Sequence, residues 1–492
     1  MSGRGVACLA LALALAGCAG QRQVGETRLR AEGTDARQCA EWYEALDARI
    51  AAAGVSDAQD FRVPGFPYLR TDRLLASLAE RARSSDTAFR AYVERLLALE
   101  LAARQREISN LPGVVPVGEL LGHARTCARL LSERDFAEPA LRTALLENGT
   151  VPDDYSDTAR LAGLYPLTRL FFSRGVRAWE DETRASFAAA HVETNVVRYA
   201  PPAARPALSR AEAASLIGRA GLDTLGIPRL SARELARFAA AYAPSVEIRI
   251  TGDYDRPGAL RWGGDPTTPE VDTAAPVVYV QQAHTRYGER VLLQLVYTMW
   301  FSERPAEREG DLLAGRLDGL VWRVTLAPDG EPLVYDSIHP CGCYHQFFPT
   351  ARARMLPAPD ALEEWAFSPL RLPRAGEGER PLLRLAPRTH FLEGVALTRD
   401  AESVVQYALH DYDELRSLPR ADGSRRSAFG PDGIVPGTER AERLVFWPMG
   451  IRSAGAMRQW GRQATAFVGR RHFDDADLLE RRFALDLGGA RP

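Results

Sequence analysis

The spacing of apolar residues changes once along this chain, near Pro244, and that change sets the fold class. Before it, apolar side chains recur at three- and four-residue steps: Cys39, Trp42, Tyr43, Leu46 and Ile50, then Phe89, Tyr92, Val93 and Leu96, then Leu120, Ala124, Cys127 and Leu131. That period places one apolar face on each of several helices. Ser231 with Glu234 three residues on forms a capping box that opens the last of them. After Pro244 the period becomes two, with Val246, Ile248 and Ile250 alternating with Glu247, Arg249 and Thr251. The order predicts an α+β protein. A helical N-terminal domain over 37–200 is followed by a β-rich, mainly antiparallel domain over 201–492, with the boundary in the Pro/Ala-rich stretch 201–206.

The clearest β pattern lies between Val277 and Thr350. Val277–Val280 leads to His284, and Arg286-Tyr287-Gly288-Glu289 reads as a tight turn. Val291–Phe301 is apolar on both faces and belongs in the middle of a sheet. Leu320–Leu326 and Leu333–Ile338 form a hairpin around Ala327-Pro328-Asp329-Gly330, where Pro presets φ and Gly supplies a positive one. The returning strand runs into His339-Pro340-Cys341-Gly342-Cys343-Tyr344-His345.

Three readings of that cluster compete. Thiolate and imidazole suit Zn(II) or copper, which makes His339, Cys341, Cys343 and His345 candidate ligands, with His284 as an outside ligand. Fully extended, the seven residues would spread the ligands over ~20 Å, too far for one ion, so the segment must loop at Pro340 and Gly342. Alternatively Cys341 and Cys343 close a small, readily reduced disulfide with redox activity, or a purely structural staple. A thiol nucleophile paired with His345 is the weakest reading, because two close thiols in an oxidising compartment tend to bridge. The absence of Cys-x-x-Cys-His gives no support to covalent haem, and the missing phosphate-loop and dinucleotide motifs none to a nucleotide. Phe171, Phe172 and Trp179 read as core aromatics rather than a ligand groove.

The N-terminus carries a different signal. Arg4 precedes the apolar run Val6–Ala16, which is too short to span a bilayer, and Leu15-Ala16-Gly17-Cys18 follows. This segment resembles the lipobox of bacterial lipoproteins. The resemblance implies cleavage before Cys18, acylation of Cys18, and anchoring in a lipid bilayer, at the outer membrane by the family's sorting pattern because no Asp follows Cys18. Residues 19–36 then form a tether. In that compartment Cys39–Cys127 and Cys341–Cys343 are the simplest disulfide pairs. The 62 basic residues, all arginine, are interleaved with 64 acidic ones, so nothing points to nucleic acid. The expectation is an envelope lipoprotein that is either a metal-binding protein or metal-dependent hydrolase using the Cys/His loop, or a non-catalytic structural or interaction lipoprotein stapled by it.

Overall fold

The apolar stripes form helices and the alternating runs form strands in the computed structural model, which describes residues 33–189, 195–202, 208–219, 222–359, 362–399 and 404–488. The signal segment, Cys18, the tether as far as residue 32, and His191 lie outside the described residues. Two compact units divide at Pro152/Asp153.

In the first unit, α1 (Thr34–Ala53), α2 (Asp86–Ser109) and α3 (Val117–Asp135) surround a hairpin of β1 (Phe61–Val63) and β2 (Phe66–Thr71). Ser85 caps α2 by accepting from Ala88 N at 3.1 Å. Cys39 on α1 and Cys127 on α3 both lie on the buried faces and form the expected disulfide. Beneath β2, Arg70 is fully buried between Glu100 and Glu107, at 2.8 and 2.7 Å. Arg104 bridges the same two carboxylates.

The second unit starts before the β period does. It includes α4 (Asp157–Ala162) and α5 (Tyr165–Ala188), which a boundary near residue 200 would assign to the helical domain. Ring contacts made by Phe172 and Trp179 with Phe446, Phe467 and Phe367 attach α5 to this unit. After β3 (Val196–Ala200), the helix α6 (Ala232–Tyr242) opens on the predicted capping box, with both reciprocal bonds made.

Two sheets follow. The larger contains β5 (Val277–Tyr287), β6 (Arg290–Arg304), β7 (Gly315–Leu326), β8 (Pro332–Ile338), β9 (Gln346–Pro349) and a later strand, β13 (Ala408–Asp411). Its order is β9-β8-β7-β6-β5-β13, antiparallel except for the β13–β5 pair. β6 is central and buried on both faces, as its unbroken apolar run predicts. The smaller sheet has the order β11-β10-β4-β3-β12, where β4 is Ser245–Arg249, β10 Arg380–Leu385, β11 Leu392–Thr398 and β12 Val405–Gln406. Val246 and Ile248 of β4 and Leu383 of β10 share one core with Leu295 and Tyr297 of β6 and Trp322 of β7. The other face of the large sheet buries Val296, Val321 and Ile338 with Phe473. Among the described residues no helix is long and apolar enough to cross a membrane.

Candidate functional site

Residues 339–345 connect β8 to β9 as a tight loop. Gly342 N donates to His339 O at 2.8 Å, and His339 N donates to Cys343 O at 3.0 Å. Gly342 has φ +95°, and a Cβ there would fall 2.3 Å from Ala464 O, so the turn tolerates only glycine. Tyr344 also takes a left-handed φ, of 62°.

Strand register sends the two histidines to opposite faces of the sheet. Ser337 pairs with Gln346 across β8 and β9, so odd-numbered residues on one strand share a face with even-numbered residues on the other. His339 continues the Tyr335–Ser337 face, and its Nδ1 lies 3.1 Å from Asp318 Oδ1. His345 continues the Phe347 face and places Nε2 3.0 Å from Asp336 Oδ2. A carboxylate only accepts, so the imidazole nitrogen facing it carries the proton. The remaining nitrogens, His339 Nε2 and His345 Nδ1, are buried without a partner.

Each carboxylate has further company. Asp318 accepts from His390 Nδ1 at 2.9 Å and faces Arg440 at 3.4 Å. Burial alone would push its carboxyl up, but His339 and Arg440 more than offset this and hold it well below the usual carboxylate range. Asp336 binds Arg323 through both oxygens, at 2.9 and 2.5 Å. Burial lowers the His345 imidazole to about 3, against the pull of Asp336, so it stays neutral. His284 is remote from both. It pairs across from Leu293 near the far end of β7, about six residue steps or ~20 Å from the level of His339. Gln282 is its side-chain neighbour, at 3.0 Å. His339, Cys341, Cys343, His345 and His284 therefore do not converge on one point. Among the described residues no group of three or more His, Cys, Asp or Glu side chains is arranged to hold an ion.

The two cysteines stay together, as thiols rather than as the expected local bridge. Cys343 N approaches Cys341 Sγ at 3.4 Å. A hydrogen bond from the Cys343 thiol lowers Cys341, against burial and with help from Arg440. The same bond, with burial, pushes Cys343 well up. The first proton therefore leaves Cys341, while Cys343 keeps its S–H and donates it. Near them Glu442 is buried and its carboxyl is pushed up to about 7, with Arg440 and Arg304 opposing.

Above the thiols lies a cavity of about 520 Å³, within the size range of small-molecule sites. Cys341, Gly342, Cys343 and Tyr344 form its floor, and Phe171, Trp179, Phe367, Phe391 and Phe446 are among its walls. Trp179 and Tyr344 approach at 5.6 Å between ring centres, and Tyr344 and Phe391 at 4.6 Å. Arg471, Glu364 and Glu180 also line it. Arg471 donates to Trp365 O and Thr465 O at 2.8 and 2.7 Å. Burial raises the Glu364 and Glu180 carboxyls despite nearby arginines. Cys343 is half-buried and Cys341 buried, and both line the cavity.

The sequence pointed to the loop but not to the cavity. Phe171, Phe172 and Trp179, expected in a core, line it instead, and Phe171 is 71% exposed. They lie on a 24-residue helix, α5, in which only Ser173 and Thr183 are buried. Comparison with family models, with curated proteins and with solved structures gave no match.

Proposed function

We propose that the second unit binds an apolar small molecule in this cavity and holds it against the Cys341/Cys343 thiol pair, within an envelope lipoprotein anchored through Cys18. The observation that carries the reading is the aromatic cavity whose floor is the Cys-Gly-Cys turn. Aromatic walls supply most of the binding free energy, at about 25 cal/mol per Å² of apolar surface buried. The thiol pair adds reactivity. On meeting a disulfide, the Cys341 thiolate attacks one sulfur and releases the other as a thiolate. Cys343 then resolves the mixed disulfide, giving a Cys341–Cys343 bridge and a second released thiol.

Gly175 provides the test. It lies within α5 on the cavity edge, and a Cβ there meets nothing within 4 Å. Gly175→Leu should fill the cavity mouth while strengthening the helix. Gly175→Ala should strengthen the helix by roughly 0.5–1 kcal/mol and leave the cavity open. The chain from Ala19 onward, which retains every described residue, is titrated with an environment-sensitive apolar dye, and medium-chain fatty acids and alkanols compete. Binding by wild type and Gly175→Ala, lost in Gly175→Leu, supports the reading. Equal binding by all three, or none by wild type, removes it.

A metal reading remains for the thiols alone, because two neighbouring thiolates suit a soft ion such as Cu(I). In that case one copper per chain is retained by the wild type and lost on Cys341→Ser, while His339→Gln and His284→Gln retain it. Loss of copper with either histidine variant would instead restore the wider ligand set.

A further inference from the structure

We infer that the second unit docks, by an exposed apolar face beside the cavity mouth, on a bilayer surface bearing anionic headgroups, from which its ligand enters. The inference rests on the apolar-ligand reading and adds the source of the ligand.

Two segments make the face. Leu161, Leu164, Leu167 and Phe171 project from α4, α5 and the turn between them, and Leu444 and Trp447 from the short helix Arg443–Phe446 and the turn after it. Leu161 and Leu444 are 79% and 72% exposed, which is costly for apolar side chains in water. The segments are fixed to each other. Ser156 N donates to Gly450 O at 2.8 Å, and Arg160 Nε to Met449 O at 2.9 Å. A Cβ at Gly163 would lie 2.5 Å from Pro448 Cβ, so the backbones meet closely there. Phe172 packs edge-on against Phe446, 5.4 Å between ring centres.

Two observations identify the occupant. The first is charge. Residues 163–179 contain Arg169, Arg174 and Arg177 and no acidic residue, and residues 443–453 contain Arg443 and Arg452 and no acidic residue. Asp157 at the start of α4 is held by Arg470 and Arg452 by Asp432, so the positive charge beside the face that no ion pair takes up comes from Arg174 and Arg443 among the described residues. Apolar side chains bordered by arginines match an interface of acyl chains under anionic headgroups. The second is continuity. Phe171 belongs both to the exposed face and to the cavity wall, and Phe446 lines the same cavity. A chain-like ligand would pass from the bilayer to the thiol floor without crossing water.

The test is flotation of the chain from Ala19 onward, which lacks the Cys18 anchor, with vesicles of phosphatidylcholine alone or mixed with phosphatidylglycerol. Dye binding in the cavity is measured in parallel. Wild type should float with the mixed vesicles and much less with phosphatidylcholine, and added salt should weaken it. Leu167→Ser with Leu444→Ser, neither of which lines the cavity, should reduce vesicle affinity at least about tenfold while leaving dye binding unchanged. Arg174→Ser with Arg443→Ser should remove the preference for anionic vesicles. Wild type that binds dye but floats with neither vesicle overturns the docking surface and leaves the ligand reading intact. Flotation unaffected by the leucine pair also overturns it, as does wild type that buries this face by self-association at sizing-column concentrations. Flotation that responds to the variants, in a protein that binds no dye, keeps the surface and removes the ligand reading.

Discussion

The two units each bury acids and bases, and they do so in different ways. Under β2 in the first unit, Arg70 and Arg104 are shared between Glu100 and Glu107, and Asp47 binds Arg104 at 2.7 Å. The pattern is a closed lattice of opposite charges, close to the Cys39–Cys127 bridge in chain order if not in kind. In the second unit Asp318 and Asp336 each face an arginine and buried imidazoles, and His339 and His345 each leave a ring nitrogen without a partner. Two thiols nearby remain unbridged. A paired guanidinium lattice resists proton movement because arginine does not titrate. A carboxyl raised to about 7, as Glu442 is, can exchange its proton near neutral pH. The first cluster is built for stability and the second for responsiveness.

The sharpest break of that comparison is Arg70→Met, which leaves two buried carboxylates, Glu100 and Glu107, sharing Arg104. It should cost about 3–5 kcal/mol in chemical denaturation of the first unit. A loss below about 1 kcal/mol would mean that the lattice is not structural. Next, Cys39→Ser with Cys127→Ser opens a link across 88 residues and should cost about 2–4 kcal/mol. Dithiothreitol should shift the same transition and leave the double variant untouched.

Glu442 tests responsiveness by pH. Its carboxyl is raised from 4.5 to about 7 in the folded chain, so the folded state holds the proton longer than the unfolded one. Stability from this group is therefore present below 4.5 and lost as pH rises through 7, by roughly 3 kcal/mol. Glu442→Gln should remove that loss and make the variant the more stable chain at pH 8, measured by denaturant midpoints. His345 works in the opposite sense. Lowered to about 3, it withdraws stability as pH falls from about 6.5 toward 3, so the two slopes oppose each other and the variant isolates one of them. The smallest effect is Cys343→Ser, less than about 1 kcal/mol in stability. Its readout is chemical: maleimide mass labelling of the native chain should modify Cys341, whose proton leaves first, before Cys343, and the variant should keep the faster adduct. Equal rates would mean that Cys343 does not lower Cys341.

Much of the architecture was legible in the residues. The change of period at Pro244 separated a mainly helical part from a mainly β part but did not show the β1–β2 hairpin or β3, and the unbroken run Val291–Phe301 marked the central strand β6. Pro328, Asp329 and Gly330 formed the expected hairpin turn, with Gly330 at φ 77°. Ser231 and Glu234 capped α6, and the apolar-face cysteines 39 and 127 joined. These are local properties, or properties of one element's face, and a single sequence encodes them directly. It also encodes the place of the soft side chains, at the end of β8.

Which way those side chains face was decided by the tertiary structure. Period two fixes alternation within a strand, but the phase of the next strand depends on how the loop closes. Gly342 and Tyr344 close this one in left-handed conformations, Ser337 meets Gln346, and His339 and His345 diverge to separate carboxylates. The cavity is likewise absent from any local pattern. It exists because α5 packs its aromatics over a loop more than 150 residues later in the chain, and a contact at that distance leaves no mark on the spacing of either segment.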